Sequence, residues 1–148
     1  MAFVELKWDP SDPFDPGPCI RVVVMNTDDA IREGRAIGLE FPPPLAQTAL
    51  LDTGSPFTFV SKTFAKNWRL FQTSAGTVIR TIGGKHRCDE YSGAISFPDT
   101  NLPRIESVRI LSAEFNREPY YSCLIGRDII MKWNIRFDGR AKLVTIKA

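Results

Sequence analysis

The sequence predicts an all-β domain with one short helix near its C-terminus. Apolar and β-branched residues come in short runs, and in residues 20–25 they alternate between two faces, which is typical of a strand. Pro42 to Pro44 and the glycine pair 83–84 interrupt these runs and indicate turns. Gly126 separates another short apolar run from a segment that we expect to be helical.

The first 18 residues are predicted to be an N-terminal extension (1–18) of a single domain that spans residues 19–148. Residues 8–18 contain four prolines and three aspartates. Because proline fixes φ and removes a backbone donor, this segment is expected to be an extended or turning connector. The preceding residues 2–8, AFVELKW, are predicted to be either an edge strand or a tail that pairs with a partner.

The strands of the main body are predicted in chain order. They cover residues 20–25, 36–41, 46–51, 57–61, 107–115, 122–125 and 143–147. Residues 77–97 contain two extended arms around the glycine pair 83–84, which predicts a long hairpin. Residues 26–35 are predicted to be a turn region, and residues 62–71 and 127–133 short helices.

The composition argues against several classes of function. The chain of 148 residues carries 19 basic and 17 acidic residues, a net charge of +2, without the basic cluster of a nucleic-acid-binding surface. Its apolar runs fall well short of the roughly 20 residues of a membrane helix, and its first ten residues lack the features of a signal peptide. The three scattered cysteines predict reduced thiols and a cytoplasmic location. Because the chain has only one histidine beside these thiols, no metal or other cofactor is expected.

The stretch ALLDTGSPFTFV, residues 49–60, carries a carboxylate at the end of an apolar strand. A desolvated carboxylate is costly unless it is hydrogen-bonded or paired. Gly54 offers an unhindered N–H to Asp52, and Ser55 offers a hydroxyl within reach of the same carboxylate. The hydroxyl of Thr53 can point away and bond to another backbone. The tetrapeptide alone fits either a turn that ends a strand or a rigid platform for catalysis.

Three blocks of the sequence, in this order, resemble the retropepsin-like aspartic proteases, the family of the retroviral proteases and their cellular and bacterial relatives. ALLDTGSPFTFV is similar to the catalytic-loop motif of that family. IRTIGGKHRCDEY, followed by SGAISF, resembles the flap hairpin with its paired glycines. CLIGRDII resembles the motif that leads into the family's single helix. The resemblance covers about residues 19–148 and implies a retropepsin-like acid protease barrel.

The resemblance implies an aspartic endopeptidase with Asp52 as its catalytic residue. Such an enzyme needs two facing carboxylates that share one proton and activate a water. Since only one Asp-Thr-Gly occurs, the second carboxylate is expected from a second copy. This predicts a homodimer with Asp52 of each chain on a twofold axis. Thr53, Gly54 and Ser55 would support the dyad, with the Thr53 hydroxyls bonded across the axis.

The flap that the resemblance implies would close over an extended substrate and exclude water. The substrate would lie as a strand between the flap and the floor of the site. The expected flap and substrate-binding residues are Val78, Ile79, Arg80, Thr81, Ile82, Gly83 and Gly84. Ile125 is a further candidate for the pocket lining, although it fits the core equally well. The expected structural motif consists of Leu124, Gly126, Arg127 and Asp128.

Two positions depart from the family's pattern. Pro56 stands where many retroviral enzymes have an Asp that pairs with the arginine of the third block, so Arg127 is expected to find either Asp128 or a backbone carbonyl. Ser55 is commoner in pepsins than in retroviral enzymes. A hydroxyl that donates to the carboxylate stabilises its charged form, which predicts a pH optimum of about 4 to 6. The C-terminal residues 143–148 fit an interchain sheet and pairing within the subunit equally well.

Two other functions are compatible with the sequence. One is a non-cleaving, dimeric peptide-binding or scaffolding module on the same fold. The other is a dimerisation domain cut from a longer polyprotein. The intact Asp52-Thr53-Gly54 favours the enzyme, because a binding module has no need for a desolvated carboxylate pair. The expected partners are a second copy of the chain and an extended peptide or protein substrate.

Overall fold

The computed structural model describes residues 1–115 and 120–148. Within these ranges the strands are β1 (Phe3–Lys7), β2 (Cys19–Met25), β3 (Gln47–Leu51), β4 (Thr58–Ser61), β5 (Phe71–Thr81), β6 (Gly84–Ser96), β7 (Ile105–Ala113), β8 (Cys123–Ile125), β9 (Asn134–Asp138) and β10 (Leu143–Lys147). The helices are α1 (Asp28–Ala36), α2 (Lys62–Asn67) and α3 (Arg127–Ile130). The fold is therefore mostly β, with one short helix near the C-terminus, as predicted.

Seven strands form a sheet in the order β2-β3-β8-β4-β7-β6-β5. β2 also pairs antiparallel with β6, so that residues 23–25 lie beside residues 94–96 and the sheet closes on itself. Val22, Ile110 and Ile125 are fully buried in the enclosed core. The predicted barrel is confirmed, and β5 extends from it as the outer arm of a hairpin with β6.

The two ends of the chain meet in a separate sheet in which β10 lies between β1 and β9. Phe3 pairs with Lys147 and Lys7 with Leu143 along β1 and β10, while the other side of β10 pairs antiparallel with β9. The N-terminal segment is thus an edge strand of its own chain, and the C-terminal strand pairs within the subunit. Because both edges of β10 are hydrogen-bonded within the chain, an interchain sheet along it would have to displace β1 or β9.

The turn region predicted at residues 26–35 is wrong, because most of it is the helix α1. The Thr27 side chain caps this helix by accepting a hydrogen bond from the Ala30 N–H at 3.2 Å. Asp28 and Asp29 lie in the first turn, where the helix dipole favours negative charge. The polar residues Thr27, Asp28 and Asp29 therefore begin a helix rather than form a turn.

The strand predicted over residues 36–41 is also wrong. Ala36 is the last residue of α1, and Gly38 has a φ of +86°, in the left-handed region that an extended strand does not use. The strand β9, by contrast, was not predicted. Its pairing with β10 depends on the fold of both ends of the chain, which local alternation does not reveal.

The other predicted strands and helices are confirmed, with differences at their ends. The hairpin begins at Phe71 rather than at residue 77, and both predicted short helices are shorter than expected. α2 begins after Ser61, whose side chain accepts a hydrogen bond from the Phe64 N–H at 3.0 Å. Across the described ranges, no helix combines the length and apolar character that a membrane crossing requires.

Candidate active site

Asp52 lies at the point where two parallel strands of the barrel end. It directly follows β3, and β3 pairs in parallel with β8, so the carboxyl ends of both strands lie at the same edge of the sheet. The Asp52 N–H donates to the Ile125 carbonyl at 2.9 Å. The register therefore brings the first and third sequence blocks together, although more than seventy residues separate them.

The Asp52 carboxylate is held by its own loop. The Gly54 N–H donates to Asp52 Oδ1 at 2.9 Å, as the sequence predicted for this glycine. Asp52 is half-buried, whereas Thr53 and Gly54 are exposed on the surface of the single chain. The carboxylate thus has a fixed orientation at the edge of an open surface, with one oxygen hydrogen-bonded to the protein backbone.

The Ser55 hydroxyl does not donate to Asp52. Ser55 Oγ donates to the Phe57 carbonyl at 2.6 Å, and a hydroxyl has only one hydrogen to donate. The role predicted for this side chain is therefore wrong, and the acid-side pH optimum loses the premise on which it was based. Ser55 instead stabilises the tight path of the chain between Asp52 and β4, and its side chain is buried.

Arg127 finds backbone carbonyls rather than Asp128. Its Nη1 donates to the Thr53 carbonyl at 3.1 Å, with the Gly54 carbonyl at 3.5 Å. The Arg127 N–H also donates to the Ser55 carbonyl at 2.8 Å. The carbonyls of Thr53 and Gly54 therefore replace the missing carboxylate at position 56 as partners of the guanidinium. These hydrogen bonds fix the loop that carries Asp52.

A buried hydrogen-bond network supports this loop from below. The Gly126 N–H donates to Thr58 Oγ1 at 3.2 Å, and Thr58 Oγ1 donates to Asp128 Oδ1 at 2.8 Å. The Thr58 N–H reaches Asp128 Oδ2 at 3.2 Å, and Ile129 N–H donates to Asp128 Oδ1 at 3.0 Å. Asp128 is thus a structural residue that ties the start of β4 to the start of α3.

Thr58→Val is expected to lower the free energy of unfolding by about 2 to 4 kcal/mol. Valine keeps the shape of a fully buried side chain, but it leaves the Gly126 N–H without its acceptor and removes one of the three donors to the Asp128 carboxylate. Denaturant unfolding measures the change. The matched control is Thr73→Val on the exposed part of β5, which should stay within about 0.5 kcal/mol of the natural protein. Equal losses in both variants would contradict the network.

The β5–β6 hairpin, which we call the flap, faces the Asp52 loop across a cleft of about 1300 Å³. The flap turns at residues 82–83, and its tip is exposed. Of the predicted substrate-binding residues, those from Val78 to Gly83 border the cleft. Leu124, which was predicted as part of the structural motif, borders it as well. Gly84 is not among the bordering residues, and Ile125 is fully buried in the core.

The floor of the cleft is apolar and comes mostly from residues that the sequence did not single out. Phe59, Cys88 and Leu111 form a small buried cluster, against which Ile79 of the flap and Leu124 of β8 pack. Phe57, Phe115 and Tyr121 border the cleft as well. Alternation along β7 was visible in the sequence, but which of its faces meets the flap depends on the strand pairing.

The base of the flap is anchored to the barrel by an ion pair. Arg109 on β7 forms two hydrogen bonds with the Glu90 carboxylate on β6, at 2.8 and 2.9 Å. The Arg109 guanidinium is the main reason that the pKa of Glu90 lies below its usual value. Thr77 Oγ1 on β5 donates to the same carboxylate at 3.2 Å, so three strands share one charged group. The flap is therefore fixed at its base and exposed at its tip.

A buried thiol and an exposed imidazole also lie at the cleft. Cys88 is 4% exposed, and burial raises the pKa of its thiol, which keeps the thiol protonated at neutral pH. His86 is exposed on the flap and borders the cleft. Nowhere in residues 1–115 and 120–148 do three or more His, Cys, Asp or Glu side chains gather in a way that could hold a metal ion.

The sequence matches no protein-family profile and no curated protein. Among solved structures, the chain is similar to the crystal structure of a retropepsin-like aspartic protease from Rickettsia conorii, with a TM-score of 0.55 and 9% sequence identity. The match covers 97% of this chain and 89% of that chain. At so low an identity the similarity shows the fold alone, so this chain has a retropepsin-like fold.

Proposed function

We propose that this protein is an aspartic endopeptidase whose catalytic dyad is formed by Asp52 from each of two copies. The observation that carries the proposal is the Asp52 carboxylate, which the Gly54 N–H orients at the edge of a cleft covered by a long hairpin. A structural aspartate that merely ends a strand needs neither the cleft nor the hairpin. The retropepsin-like fold supports the same function.

The chemistry would require the two carboxylates to share one proton. Two negative charges at such short separation repel strongly, so one carboxylate is protonated while the other is charged. The charged carboxylate accepts a proton from the water as the water attacks the peptide carbonyl, and the protonated carboxylate donates to the carbonyl oxygen. The hydrogen bond from Gly54 keeps one oxygen of each carboxylate in place during this exchange.

The second carboxylate has to come from another copy, because no other position in the sequence repeats the motif. Asp99-Thr100 is followed by Asn101, and Asp138-Gly139 lacks the hydroxyl residue between them. A twofold axis beside Asp52 would bring the same residue of both copies face to face. The exposed Thr53 and Gly54 would then lie in the contact between the copies, with the Thr53 hydroxyl available to the other chain.

The substrate class that fits the cleft is an extended peptide. Bound as a strand between the flap and the floor, it would donate and accept main-chain hydrogen bonds with the flap backbone. An apolar side chain of the peptide would contact Phe59, Ile79 and Leu124. Closure of the exposed flap tip would exclude water from the dyad and leave only the attacking molecule.

The experiment that tests this function is cleavage of a mixed peptide library between about pH 3.5 and 7.5, at a series of protein concentrations. If only the dimer is active, the rate per chain rises with protein concentration until the dimer predominates. The dimer fraction, measured by analytical ultracentrifugation at the same concentrations, should follow the same curve.

Two results would contradict the proposal. The first is a cleavage rate per chain that does not change with concentration in samples that ultracentrifugation finds monomeric. This result would rule out a dyad shared between two copies. A well-folded dimer that binds peptides but leaves the whole library uncut would instead identify a non-cleaving peptide-binding module on this fold.

A further inference from the structure

The side chain of Arg109 belongs to the wall of the cleft as well as to the base of the flap. Arg109 precedes Leu111 by two positions on β7, and alternate residues of a strand share one face. Its side chain therefore lies on the same side of the sheet as the apolar floor, to which Leu111 belongs. Arg109 borders the cleft, and 46% of its side chain is exposed. A peptide held between the flap and the floor can therefore reach it.

The guanidinium of Arg109 lies over an aromatic ring that also borders the cleft. Its central carbon, Cζ, is 4.9 Å from the centre of the Phe57 ring, within the range of a cation–π contact. Phe57 packs against the buried cluster at the floor, and the Ser55 hydroxyl donates to its carbonyl at 2.6 Å. The ring and the guanidinium are thus two walls in fixed positions, and we call them together the Arg109 subsite.

The Glu90 carboxylate uses only part of the hydrogen-bonding capacity of Arg109. It lies 2.8 Å from Nε and 2.9 Å from Nη2. A guanidinium has five N–H donors, two of which belong to Nη1. In the part of the chain that the structure describes, Nη1 of Arg109 donates to no acceptor. Both of its N–H groups therefore remain available to a ligand, and the pairing with Glu90 fixes their direction.

Charge decides which acceptor suits the Arg109 subsite. Glu90 already neutralises the guanidinium, and the hydrogen bonds from Arg109 hold the pKa of Glu90 below its usual value, so the pair stays charged in mildly acidic solution. A substrate carboxylate would bring a second negative charge close to Glu90 and would lose its hydration in a closed cleft, which is costly. A carboxamide offers an oxygen acceptor of the same planar shape without these two costs.

The Arg109 subsite lies within a few residues of the bond that the dyad would cut. Five peptide units connect Asp52 to Phe57, and a chain of this length spans at most about 18 Å. An extended substrate rises about 3.3 Å per residue. The side chain bound at the Arg109 subsite therefore belongs to a residue no more than about five positions from the scissile bond.

We infer that the Arg109 subsite selects substrates with a carboxamide side chain, glutamine or asparagine, near the cleavage site. This inference rests on the proposed function and adds a substrate class to it. The carbonyl oxygen of the amide accepts hydrogen bonds from Nη1 of Arg109, and the aliphatic part of the side chain packs on Phe57. Arg109 is then a residue that determines specificity, beside an apolar floor that holds other side chains of the peptide.

The test uses peptides with one apolar core, in which a single residue within about five positions of the cleavage site is Gln, the similarly shaped Met, or Glu. Cleavage is followed for the natural protein, for Arg109→Lys and for the control Arg21→Lys. Lysine keeps a positive charge for Glu90, and with it the anchor of the flap, but lacks the planar fork of donors. Arg21 is also ion-paired, at 3.3 Å from Asp99, and is not among the described residues that border the cleft.

At the position that reaches the Arg109 subsite, the Gln peptide is expected to have a kcat/KM about three to ten times that of the Met peptide, with the Glu peptide below the Gln peptide. The preference should disappear in Arg109→Lys and persist in Arg21→Lys. Three results would overturn the inference and leave the proposed function intact. They are equal rates for Gln and Met at every position, faster cleavage of Glu than of Gln at the responsive position, and a Gln preference that persists in Arg109→Lys.

Binding of the same labelled peptides to Asp52→Asn, measured by fluorescence polarisation, separates this inference from the proposed function. If Asp52→Asn binds the Gln peptide more tightly than the Met peptide but the natural protein cuts neither, the endopeptidase proposal fails and the carboxamide preference stands as a binding property. Absence of both binding and cleavage for every peptide would overturn both.

Discussion

Asp52→Asn is expected to reduce peptide cleavage by about 10³-fold or more while leaving the protein folded. The amide cannot accept the proton of the attacking water, nor can a pair of amides share a proton as the carboxylates do. The carboxamide oxygen still accepts the hydrogen bond that Gly54 donates at 2.9 Å, so the loop should keep its conformation. Initial rates on a cleaved library peptide, together with the thermal unfolding temperature, measure both parts of the expectation.

Asp99→Asn is the matched control for this change. Asp99 begins an Asp-Thr pair like that of the catalytic loop, but it lies on the surface in an exposed ion pair with Arg21. Its φ of +63° is one that Asn adopts readily. This variant should cleave at the rate of the natural protein. Equal activity in Asp52→Asn and Asp99→Asn would mean that the activity comes from somewhere other than the proposed dyad.

Gly126→Ala is expected to cost about 4 kcal/mol or more of unfolding free energy, or to prevent folding altogether. A Cβ at this position would lie 2.2 Å from the Phe57 carbonyl oxygen and 2.4 Å from its carbon, and both are backbone atoms that cannot rotate away. The backbone of Gly126 is in an ordinary extended conformation, so the cost is steric. Chemical denaturation followed by circular dichroism measures it.

The same substitution at Gly139 serves as the control, because a Cβ there meets no atom within 4 Å. Gly139→Ala should change the unfolding free energy by about 0.5 kcal/mol at most. If Gly126→Ala were equally harmless, the close contact between the third sequence block and the chain after the catalytic loop would not exist as described. The position of the Asp52 loop could then not be attributed to its contacts with the third block.

Local sequence patterns were sufficient to predict most of the barrel. The alternation in β2, the glycine pair of the flap and the glycine after β8 are each signals within a few neighbouring residues. The proximity of Asp52 to the third block was implied by the family resemblance, and its physical cause is the parallel pairing of β3 with β8. The local role of Gly54 followed from chemistry alone, since a residue without a side chain leaves its N–H accessible to the carboxylate.

The sequence-based predictions were wrong where a segment fits two local conformations or where a side chain has two possible hydrogen-bond acceptors. Thr27 and the two aspartates after it fit a turn as well as a helix start, and the rest of α1 decides between them. Ser55 could donate to a carboxylate or to a carbonyl, and the path of the loop brings the Phe57 carbonyl closer. The apolar floor combines β4, β6 and β7, whose contacts are set by strand register rather than by any local motif.

The pairing of the chain ends bears on how two copies could meet. β10 is paired on both edges by β1 and β9 of its own chain, so a dimer could exchange terminal strands along β10 only by breaking one of these pairings. The proposed contact would instead depend on the surface around Thr53 and Gly54. A dimer held mainly by this surface should dissociate on dilution more readily than one held by a shared sheet.

The most direct test of a dyad shared between copies is a subunit-mixing measurement. The natural protein and Asp52→Asn are refolded together at constant total concentration and in varied proportion, and native mass spectrometry verifies that mixed dimers have formed. If each active site needs Asp52 from both copies, the cleavage rate falls with the square of the natural fraction, to about one quarter at equal amounts. A linear fall to about one half, with mixed dimers present, would mean that one copy carries a complete active site and would contradict the proposed function.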